Sequence, residues 1–339
     1  MLTPSFTLAL EHYRPALDLR ETEAAIKYCK DTFESQLAEK LNLSRVSAPL
    51  FVLQDSGIND TLNGVERAVA FDIKDLWWRM AEIVHSLAKW KRMALHTYGF
   101  SKWEGLYTDM NAIRRDEELD ELHSLYVDQR DREYVISKEE RAFETLKAKA
   151  TLVYEALKTT AKHLAAKFPA LVSALPEELY FITAQELEDL YPTKSPRERE
   201  DLICREHKAV FLMQIGGELK SGILHDGRAP DYDDRTLNGD LLVYYPLMDR
   251  AFELSSMGIR VDETSLIEQL GKRGCPERVQ FSYHKMISEK KLPYTIGGGI
   301  GQSRICMFLL HKLHIWEVQS SLWSDETMKI CKEHNIPLL

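Results

Sequence analysis

Residues 295–304 read Thr-Ile-Gly-Gly-Gly-Ile-Gly-Gln-Ser-Arg, with four glycines in five positions and an arginine three residues after the last. Glycines allow close backbone approach, and arginine offers a planar fork of donors to phosphate. A P-loop is excluded, because it ends in Gly-Lys-Ser/Thr. A dinucleotide loop is excluded as well, because it needs an acidic residue about 20 positions later. Here an apolar segment, residues 305–310, follows near the C-terminus.

The composition is that of an ordinary globular chain with a negative net charge. Its 339 residues show no linker, repeat or low-complexity segment, so we expect one domain over residues 1–339. A net charge of −9 argues against a nucleic-acid partner, which needs surplus Lys and Arg. No apolar run approaches the roughly 20 residues that span a bilayer, so no membrane partner is expected. Five scattered cysteines without a CxxC pair or a signal peptide indicate a cytoplasmic location.

Apolar periodicity predicts an α+β chain without regular βαβ alternation. Helices are predicted over residues 20–40, 139–167, 264–270 and 276–290, and strands over residues 43–51, 122–129, 209–215 and 240–245. Pro49 interrupts the first strand, which is typical of an edge or an interface. Gly216-Gly217 predicts a hairpin turn after the third strand. These signals favour a mainly antiparallel sheet flanked by helices.

A dense acidic cluster lies between residues 226 and 240. It contains Asp226, Asp231, Asp233, Asp234 and Asp240. Carboxylates suit Mg²⁺, which usually takes one or two of them together with substrate phosphates. The cluster therefore predicts either part of a metal–phosphate site or an acidic surface loop.

The segment 250–260 carries Glu253, Ser256 and Arg260 among apolar residues. Strict alternation places Glu253 on the opposite strand face from the other two. A one-sided site would therefore need a bulge or a turn near Ser255-Ser256. The alternative is a surface strand with paired charges.

Arg114 ends an apolar segment and precedes the acidic residues 116–118. Arginine is the side chain best suited to bidentate phosphate recognition. Taken alone, an arginine beside acidic residues is equally typical of a surface ion pair.

In order along the chain, these segments resemble the class II aminoacyl-tRNA synthetase catalytic core. The helix and strand before Pro49 resemble its first motif, and Arg114 with a strand carrying Gln129 and Glu133 resembles its second. Residues 297–304 resemble the third motif, Gly-x-Gly-x-x-Arg running into a helix. The resemblance implies that core's fold, and a homodimer formed through the first motif.

A closer resemblance is to the asparagine synthetase A family, which shares this core, and it covers the chain from about residue 20 to the end. The segments that carry it are residues 85–92, 122–129, 228–234, 252–260 and 295–304. It implies a single catalytic domain that acts as an ammonia-dependent ligase. In the implied reaction, the β-carboxylate of aspartate attacks the α-phosphorus of ATP and pyrophosphate leaves. Ammonia then converts β-aspartyl-AMP into asparagine and AMP.

The resemblance also implies how ATP and Mg²⁺ are held. An ionised carboxylate needs no general base to attack phosphorus, so alignment and charge stabilisation are the main demands. Arg114 is assigned to the α-phosphate and Arg304 to the polyphosphate tail. The implied ATP contacts are Arg114, Ser124, Gln129, Asp240, Gly301 and Arg304. The implied metal ligands are Asp240 and Glu253.

Aspartate carries one ammonium and two carboxylates, so its pocket needs charges of both signs. By resemblance and charge complementarity, Lys91 and Arg260 are the expected carboxylate partners, and Ser256 adds a neutral hydrogen bond. The expected ammonium partners are Gln129, Asp131 and Asp233.

Ammonia is mostly ammonium at neutral pH and must lose a proton before it attacks. By resemblance, Asp60 is the carboxylate expected to hold ammonium and accept that proton. The alternative is an ordinary turn or helix N-cap aspartate. The chain begins Met1-Leu2-Thr3 instead of with the N-terminal cysteine of a glutamine-dependent enzyme, so free ammonia is the expected donor.

Three other interpretations compete with this one. The chain could be an aspartyl- or asparaginyl-tRNA synthetase, which usually has an added anticodon-binding domain. It could be a non-catalytic regulator on the same core, although such proteins usually lose the phosphate arginines, and Arg114 and Arg304 are both present. In the third interpretation the motifs occur by chance.

Overall fold

The computed structural model describes residues 4–60, 62, 66–172 and 175–339. The first three residues, on which the expectation of free ammonia rested, lie outside these ranges. The α-helices are α1 (Pro4–Leu10), α2 (Leu19–Leu41), α3 (Ala88–Tyr98), α4 (Phe143–Lys167), α5 (Ala184–Leu190), α6 (Pro196–His207), α7 (Glu263–Lys272), α8 (Ser282–Ser288), α9 (Gln302–Leu309) and α10 (Asp325–Glu333). The strands are β1 (Leu43–Arg45), β2 (Phe51–Leu53), β3 (Ala70–Ile73), β4 (Arg79–Ile83), β5 (Gly105–Ile113), β6 (Tyr126–Ile136), β7 (Tyr180–Thr183), β8 (Ala209–Met213), β9 (Asp233–Tyr245), β10 (Arg250–Arg260) and β11 (Tyr294–Gly301).

Eight of these strands form one sheet, in the order β1-β5-β6-β11-β10-β9-β8-β7. Its outermost pairs, β1 with β5 and β7 with β8, are parallel, and the inner pairs are antiparallel. A smaller sheet contains β2, β4 and β3. The expectation of an α+β fold with a mainly antiparallel sheet flanked by helices is confirmed.

Helices α2 and α4 cover one face of the large sheet and form its main core. Asp18 and Glu21 close a capping box at the start of α2, satisfying backbone N–H groups that the first turn leaves free. Cys29, Phe33 and Leu37 then fall on one buried face. Helix α4 begins at Phe143, four residues later than the sequence predicted, because the chain is still extended at Ala142.

Four local predictions were wrong in detail. Residues 43–51 form two short strands in different sheets, with Pro49 between them. The strand predicted from residue 122 begins at Tyr126, because Asp120 Oδ1 accepts hydrogen bonds from the backbone N–H groups of Leu122 and His123 in a turn. The helix predicted over residues 276–290 breaks at Phe281, whose backbone is extended. Gly216-Gly217 lies in a turn, but β9 begins only at Asp233, so no tight hairpin forms.

Strand β10 contains the irregularity that a one-sided site required. Its register with β9 shifts between Glu253 and Ser255, which leaves one extra residue at Leu254. Glu253 then lies opposite Leu242 and Ser256 opposite Asp240, so both face the same side of the sheet. The bulge therefore brings Glu253 to the face that carries Arg260.

Candidate active site

A cavity of about 640 Å³ opens on the face of the large sheet opposite α2 and α4. It collects residues that are far apart in the sequence. Twelve of the thirteen predicted site residues line it, namely Asp60, Lys91, Arg114, Ser124, Gln129, Asp131, Asp233, Glu253, Ser256, Arg260, Gly301 and Arg304. Asp240 is absent from its walls.

The floor of this cavity is the glycine-rich strand β11. It runs between β6 and β10, and side chains from both neighbours cross over it. A Cβ atom on Gly297 would lie 1.9 Å from Oε2 of Glu133, and one on Gly299 would lie 2.2 Å from Oε1 of Gln129. Gly297 and Gly299 are thus required by the close approach of these side chains, while Gly301, at the end of the strand, presents backbone without a side chain to the cavity.

Arg304 projects from the first turn of α9 at the edge of this floor. Its Nη1 donates to the carbonyl of Glu253 at 3.0 Å, and Nη2 lies 3.1 Å from Nε2 of His123. His123 Nδ1 lies 2.8 Å from Oδ1 of Asp120. We assign the His123 proton to Nδ1, so that Nε2 accepts from Arg304. The arginine is thereby held in place, with its remaining donors available to a phosphate.

Arg114 follows the end of β5 on the cavity wall. Its Nη1 is 3.9 Å from Oε2 of Glu117, so the expected ion pair with the neighbouring acids is weak. Its Nε is buried and has no hydrogen-bond partner among the residues that the structure describes. A buried donor without a partner is costly, which indicates a place for an anionic ligand.

A network of buried charges lies at the base of the cavity. Arg260 binds Glu133 through two nitrogens and also pairs with Asp233. Lys91 Nζ lies 3.0 Å from Oδ1 of Asp131 and donates to the carbonyl of Gly298 at 3.3 Å. The predicted carboxylate binders and ammonium binders are therefore brought together, and without substrate they neutralise one another.

Burial and pairing act against each other in this network. Burial lowers the pKa of Lys91, against the opposing charge of Asp131. Burial raises the pKa of Asp233 in spite of Arg260. Burial would also raise the pKa of Glu133, but the charges of Arg260 and Lys91 outweigh this effect. The pKa of Glu133 therefore lies below its usual range, and the carboxylate is ionised at neutral pH.

Asp240 lies behind the cavity wall, beside Ser256 and Glu253. One of its oxygens pairs with Arg228, while Oδ1 is buried without a hydrogen-bond partner in the described part of the chain. Burial and the charge of Glu253 raise its pKa to about 7, against the effect of Arg228. An unpartnered carboxylate oxygen near a second carboxylate fits a divalent cation. No group of three or more possible protein ligands occurs among the described residues, so phosphates and water would complete the coordination shell.

Asp60 is buried on the opposite wall. Its Oδ1 accepts from the backbone N–H of Leu62 at 3.0 Å, so the turn interpretation holds for that oxygen. Oδ2 is buried and has no hydrogen-bond partner within the described ranges. Burial raises the pKa of Asp60 to about 6, with Lys89 opposing this shift and Asp231 adding to it. Within those ranges Asp60 therefore has one carboxylate oxygen without a hydrogen-bond partner, and its pKa lies close to neutral pH.

The predictions omitted several residues that belong to the site. His85, His123 and Arg228 line the cavity, and the carboxylate of Glu133 lies over Gly297 of β11. Glu133 could have been selected, since it lies in the strand that resembles the second motif. The pairing of Arg228 with Asp240 has no sequence signal, because the two residues meet only through the loop that precedes β9.

None of the described helices is long and apolar enough to cross a lipid bilayer.

Solved structures with a similar fold are class II aminoacyl-tRNA synthetases. An asparaginyl-tRNA synthetase from Pyrococcus horikoshii, complexed with asparaginyl-adenylate, superposes with a TM-score of 0.64 at 16% identity, over 88% of this chain and 68% of that one. The asparaginyl-tRNA synthetase of Entamoeba histolytica, also in complex with asparaginyl-adenylate, gives a TM-score of 0.61 at 12% identity. This match covers 89% of the present chain and 66% of the other. At these identities the likeness shows the fold.

The sequence relatives are much more similar. Aspartate–ammonia ligases from Ruminiclostridium cellulolyticum and Clostridium perfringens are 60% and 61% identical, over 97% and 96% of this chain and 98% and 97% of their own lengths. One from Lactobacillus johnsonii is 57% identical over 96% of this chain and 98% of its own length. The family model described as aspartate–ammonia ligase matches residues 20–335. The chain therefore belongs to the aspartate–ammonia ligase family.

Proposed function

We propose that this chain is an ATP-dependent ligase that joins ammonia to aspartate, through β-aspartyl-AMP, and releases asparagine, AMP and pyrophosphate. The observation that carries the proposal is the convergence of three kinds of group on one cavity. Arg114 and Arg304 are available to a polyphosphate, Lys91 and Arg260 to an amino-acid substrate, and Asp60 to a proton. The whole chain, residues 1–339, serves as one catalytic domain.

In the first step, a β-carboxylate oxygen of aspartate attacks the α-phosphorus of ATP as the bond to pyrophosphate breaks. Arg114 supplies the unpartnered Nε and neutralises charge that grows on the α-phosphate. Arg304, held by His123 and the Glu253 carbonyl, binds the leaving polyphosphate. The adenine ring lies against the end of β11 at Gly301, with Ser124 and Gln129 beside the nucleotide.

Asp240 and Glu253 would hold Mg²⁺ against the phosphates. The ion would supply charge neutralisation at the phosphate oxygens. Asp240 would offer its Oδ1, since Arg228 pairs with the other carboxylate oxygen. We expect Asp240→Asn to raise the Mg²⁺ concentration needed for half-maximal ATP–pyrophosphate exchange. An unchanged Mg²⁺ requirement would contradict the assignment.

Aspartate enters the base of the cavity, where both signs of charge are present. Its carboxylates take up donors of Lys91 and Arg260 that are not used by Asp131, Glu133 and Asp233, and its ammonium takes up the oxygens of Gln129, Asp131 and Asp233. Ser256 adds a hydroxyl from β10. Substrate binding thus replaces part of an existing ion-pair network, which limits the cost of burying new charge.

In the second step, ammonium bound at Asp60 transfers a proton to the free Oδ2. The resulting ammonia attacks the acyl carbon of β-aspartyl-AMP and the carbon–nitrogen bond forms. The bond from the acyl carbon to the phosphate oxygen breaks as AMP leaves, and the nitrogen releases one further proton to solvent to give the amide. The burial of Asp60 supports this role, because it raises the pKa of the carboxyl towards neutrality, where a proton acceptor is effective.

One assay tests the reaction: the chain is incubated with aspartate, ATP, Mg²⁺ and ammonium chloride, and the nucleotide and amino-acid products are measured. We expect AMP and asparagine in equal amounts, without added tRNA. Formation of ADP in place of AMP would reject the adenylate mechanism. Asparagine or aspartate attached to tRNA, with no free asparagine formed, would assign the chain the activity named for its structural neighbours.

We also propose a homodimer. The small sheet presents Phe51 and Phe71, whose rings contact each other at 5.2 Å between centroids, and the nearby Trp77 and Trp78 are 72% and 64% exposed. A contiguous apolar patch of this kind is typical of an interface. Sedimentation should give a dimer, and Phe51→Lys with Phe71→Lys should give a monomer. A monomeric wild-type chain would contradict this proposal.

The five cysteines are all free thiols in the structure. This supports the proposal of a reducing, cytoplasmic location.

A further inference from the structure

Lys89 lies behind the cavity wall, in the first turn of α3, between Ala88 and Lys91, which line the cavity. Its side chain is only 5% exposed, yet it does not line the cavity. The Nζ donates to the carbonyls of Gly57 and Asn59 at 3.2 and 3.3 Å, and it lies 3.0 Å from Oδ2 of Asp231. Two of these partners, Gly57 and Asn59, belong to the short loop that ends at Asp60, and the third, Asp231, lies outside it.

The loop Gly57–Asp60 is held from several sides. Asn59 is fixed to the end of β4, where its Oδ1 accepts from the backbone N–H of His85 at 2.8 Å. Gly57 packs so closely on Phe281 that a Cβ atom would lie 2.6 Å from that ring. Among these contacts, Lys89 supplies a charged side chain, whose Nζ donates to two loop carbonyls.

Asp231 anchors Lys89 from the far side. It is fully buried, and its Oδ2 also lies 3.1 Å from Nε2 of His284 and 3.4 Å from Nη1 of Arg278. Burial would raise the pKa of Asp231, but Lys89 and His284 hold it well below the usual range. The carboxylate thus remains charged, and Lys89 links it to the Asp60 loop.

Lys89 and Asp231 act on Asp60 with opposite sign. The charge of Lys89 favours an ionised Asp60, whereas the charge of Asp231 disfavours it. Among the residues that the structure describes, Asp60 is also faced by Tyr232, from the loop before β9, and by the ring of His85, whose Nδ1 lies 3.2 Å from the Asp60 carbonyl. A buried ion pair of this kind is weak evidence for stability alone, because desolvation offsets most of its attraction.

We propose that Lys89 is a positioning residue for the amidation step, which holds the Gly57–Asp60 loop at the cavity. This inference rests on the proposed role of Asp60. Lys89 touches no reacting atom, so its removal should leave adenylation largely intact. Asp231 acts through Lys89 and through its own charge.

The test compares two half-reactions in Lys89→Met and Asp231→Asn. Aspartate-dependent ATP–pyrophosphate exchange without ammonia reports adenylation, and asparagine formation reports the complete reaction. In Lys89→Met we expect exchange within about threefold of wild type, and a loss of about tenfold in kcat/KM for ammonium, because the loop is misplaced. In a plot of kcat/KM for ammonium against pH, the pH below which the value falls (the acid limb) should rise by about one unit, because Asp60 is protonated more easily.

In Asp231→Asn the acid limb of kcat/KM for ammonium should move in the opposite direction, to lower pH. This variant removes a negative charge that disfavours the ionised form of Asp60. Lys89→Arg keeps the positive charge, so the acid limb of its pH profile should lie at the wild-type pH. The matched control is Lys220→Met, which breaks a surface Lys–Asp pair of 2.8 Å and should leave both half-reactions unchanged. A purely structural role would not give shifts of opposite sign.

Shifts in the same direction, no shift, or equal losses of exchange and amidation in Lys89→Met would overturn the inference. Asp60→Asn separates this outcome from failure of the proposed function. If Asp60→Asn impairs both half-reactions equally, the Asp60 assignment itself is wrong. If Asp60→Asn impairs amidation selectively, and the Lys89 variants leave the acid limb of kcat/KM for ammonium unmoved, only the role of Lys89 is wrong.

Discussion

Arg260 and Glu133 meet through two parallel contacts at the base of the cavity. Nη2 of Arg260 lies 2.7 Å from Oε2 of Glu133, and Nε lies 2.9 Å from Oε1. Thr295 donates a further hydrogen bond to Oε1 at 2.7 Å. This bidentate pair fixes the plane of the guanidinium, so the remaining donors of Arg260 point in one direction before any substrate arrives.

Glu133→Gln should lower the free energy of unfolding by about 3 kcal/mol, because it removes one charge of a fully buried pair. Urea denaturation measures the change. The control is Asp31→Asn in the exposed pair with Lys27, expected within about 0.5 kcal/mol of wild type. The depressed pKa of Glu133 means that its stabilisation is present above its unfolded pKa and is lost as pH falls through its folded pKa. A difference between variant and wild type that does not shrink in acid would contradict this origin.

Gly297→Ala should abolish ATP binding or prevent folding, because the new Cβ would lie 1.9 Å from a buried carboxylate oxygen of Glu133. Equilibrium binding of ATP and circular dichroism separate these two effects. Gly217→Ala is the matched control, since no heavy atom lies within 4 Å of the added Cβ and its φ is not positive. A Gly297→Ala chain that folds and binds ATP as wild type does would show that the Glu133 carboxylate can move aside without loss of the site.

Arg304→Ala should reduce kcat/KM for ATP by about 100-fold in the exchange assay, as expected for loss of a donor to transition-state charge. His123→Ala should cost about tenfold, because it removes a hydrogen bond that holds the guanidinium while leaving its charge. Both variants should spare kcat/KM for ammonium once the adenylate is formed. A larger loss in His123→Ala than in Arg304→Ala would make the histidine the principal phosphate contact.

The pH dependence of amidation should report Asp60. If bound ammonium gives its proton to this carboxyl, kcat/KM for the ammonium ion falls below about pH 6, where Asp60 becomes protonated, and is level above it. Asp60→Asn should remove the level region and impair amidation more than exchange. If free ammonia from solution were the nucleophile, kcat/KM for ammonium would instead rise tenfold per pH unit well beyond pH 7.

The sequence was sufficient for the fold class and for naming most of the candidate residues that the structure brings to one cavity. By resemblance, the glycine run with Arg304 predicted a segment that runs into a helix, and β11 and α9 have this arrangement. The need for a bulge in β10 followed from alternation alone. These features are local, so they are visible in periodicity and spacing.

The links between distant segments could not be predicted in this way. Lys89 and Asp231 are separated by more than a hundred positions, and each is an ordinary charged residue in its own segment. Arg228 and Asp240 pair only because of the course of the loop between β8 and β9. Pairings of this kind depend on tertiary packing, and a single sequence contains no periodic signal for them.

The extra residue at Leu254 sets a limit on redesign of this protein. Deleting it would restore a regular hydrogen-bond ladder between β9 and β10 and would remove an unpaired position. Glu253 would keep its face after the deletion, because its partner Leu242 is already next to the partner of Ser255, but the buried side chain of Leu254 would be lost from the core. Regular pairing with Leu254 retained would instead turn Glu253 to the apolar side. Homologues or designs matched to this strand by alternation alone would therefore be misaligned by one residue from Glu253 towards the start of β10.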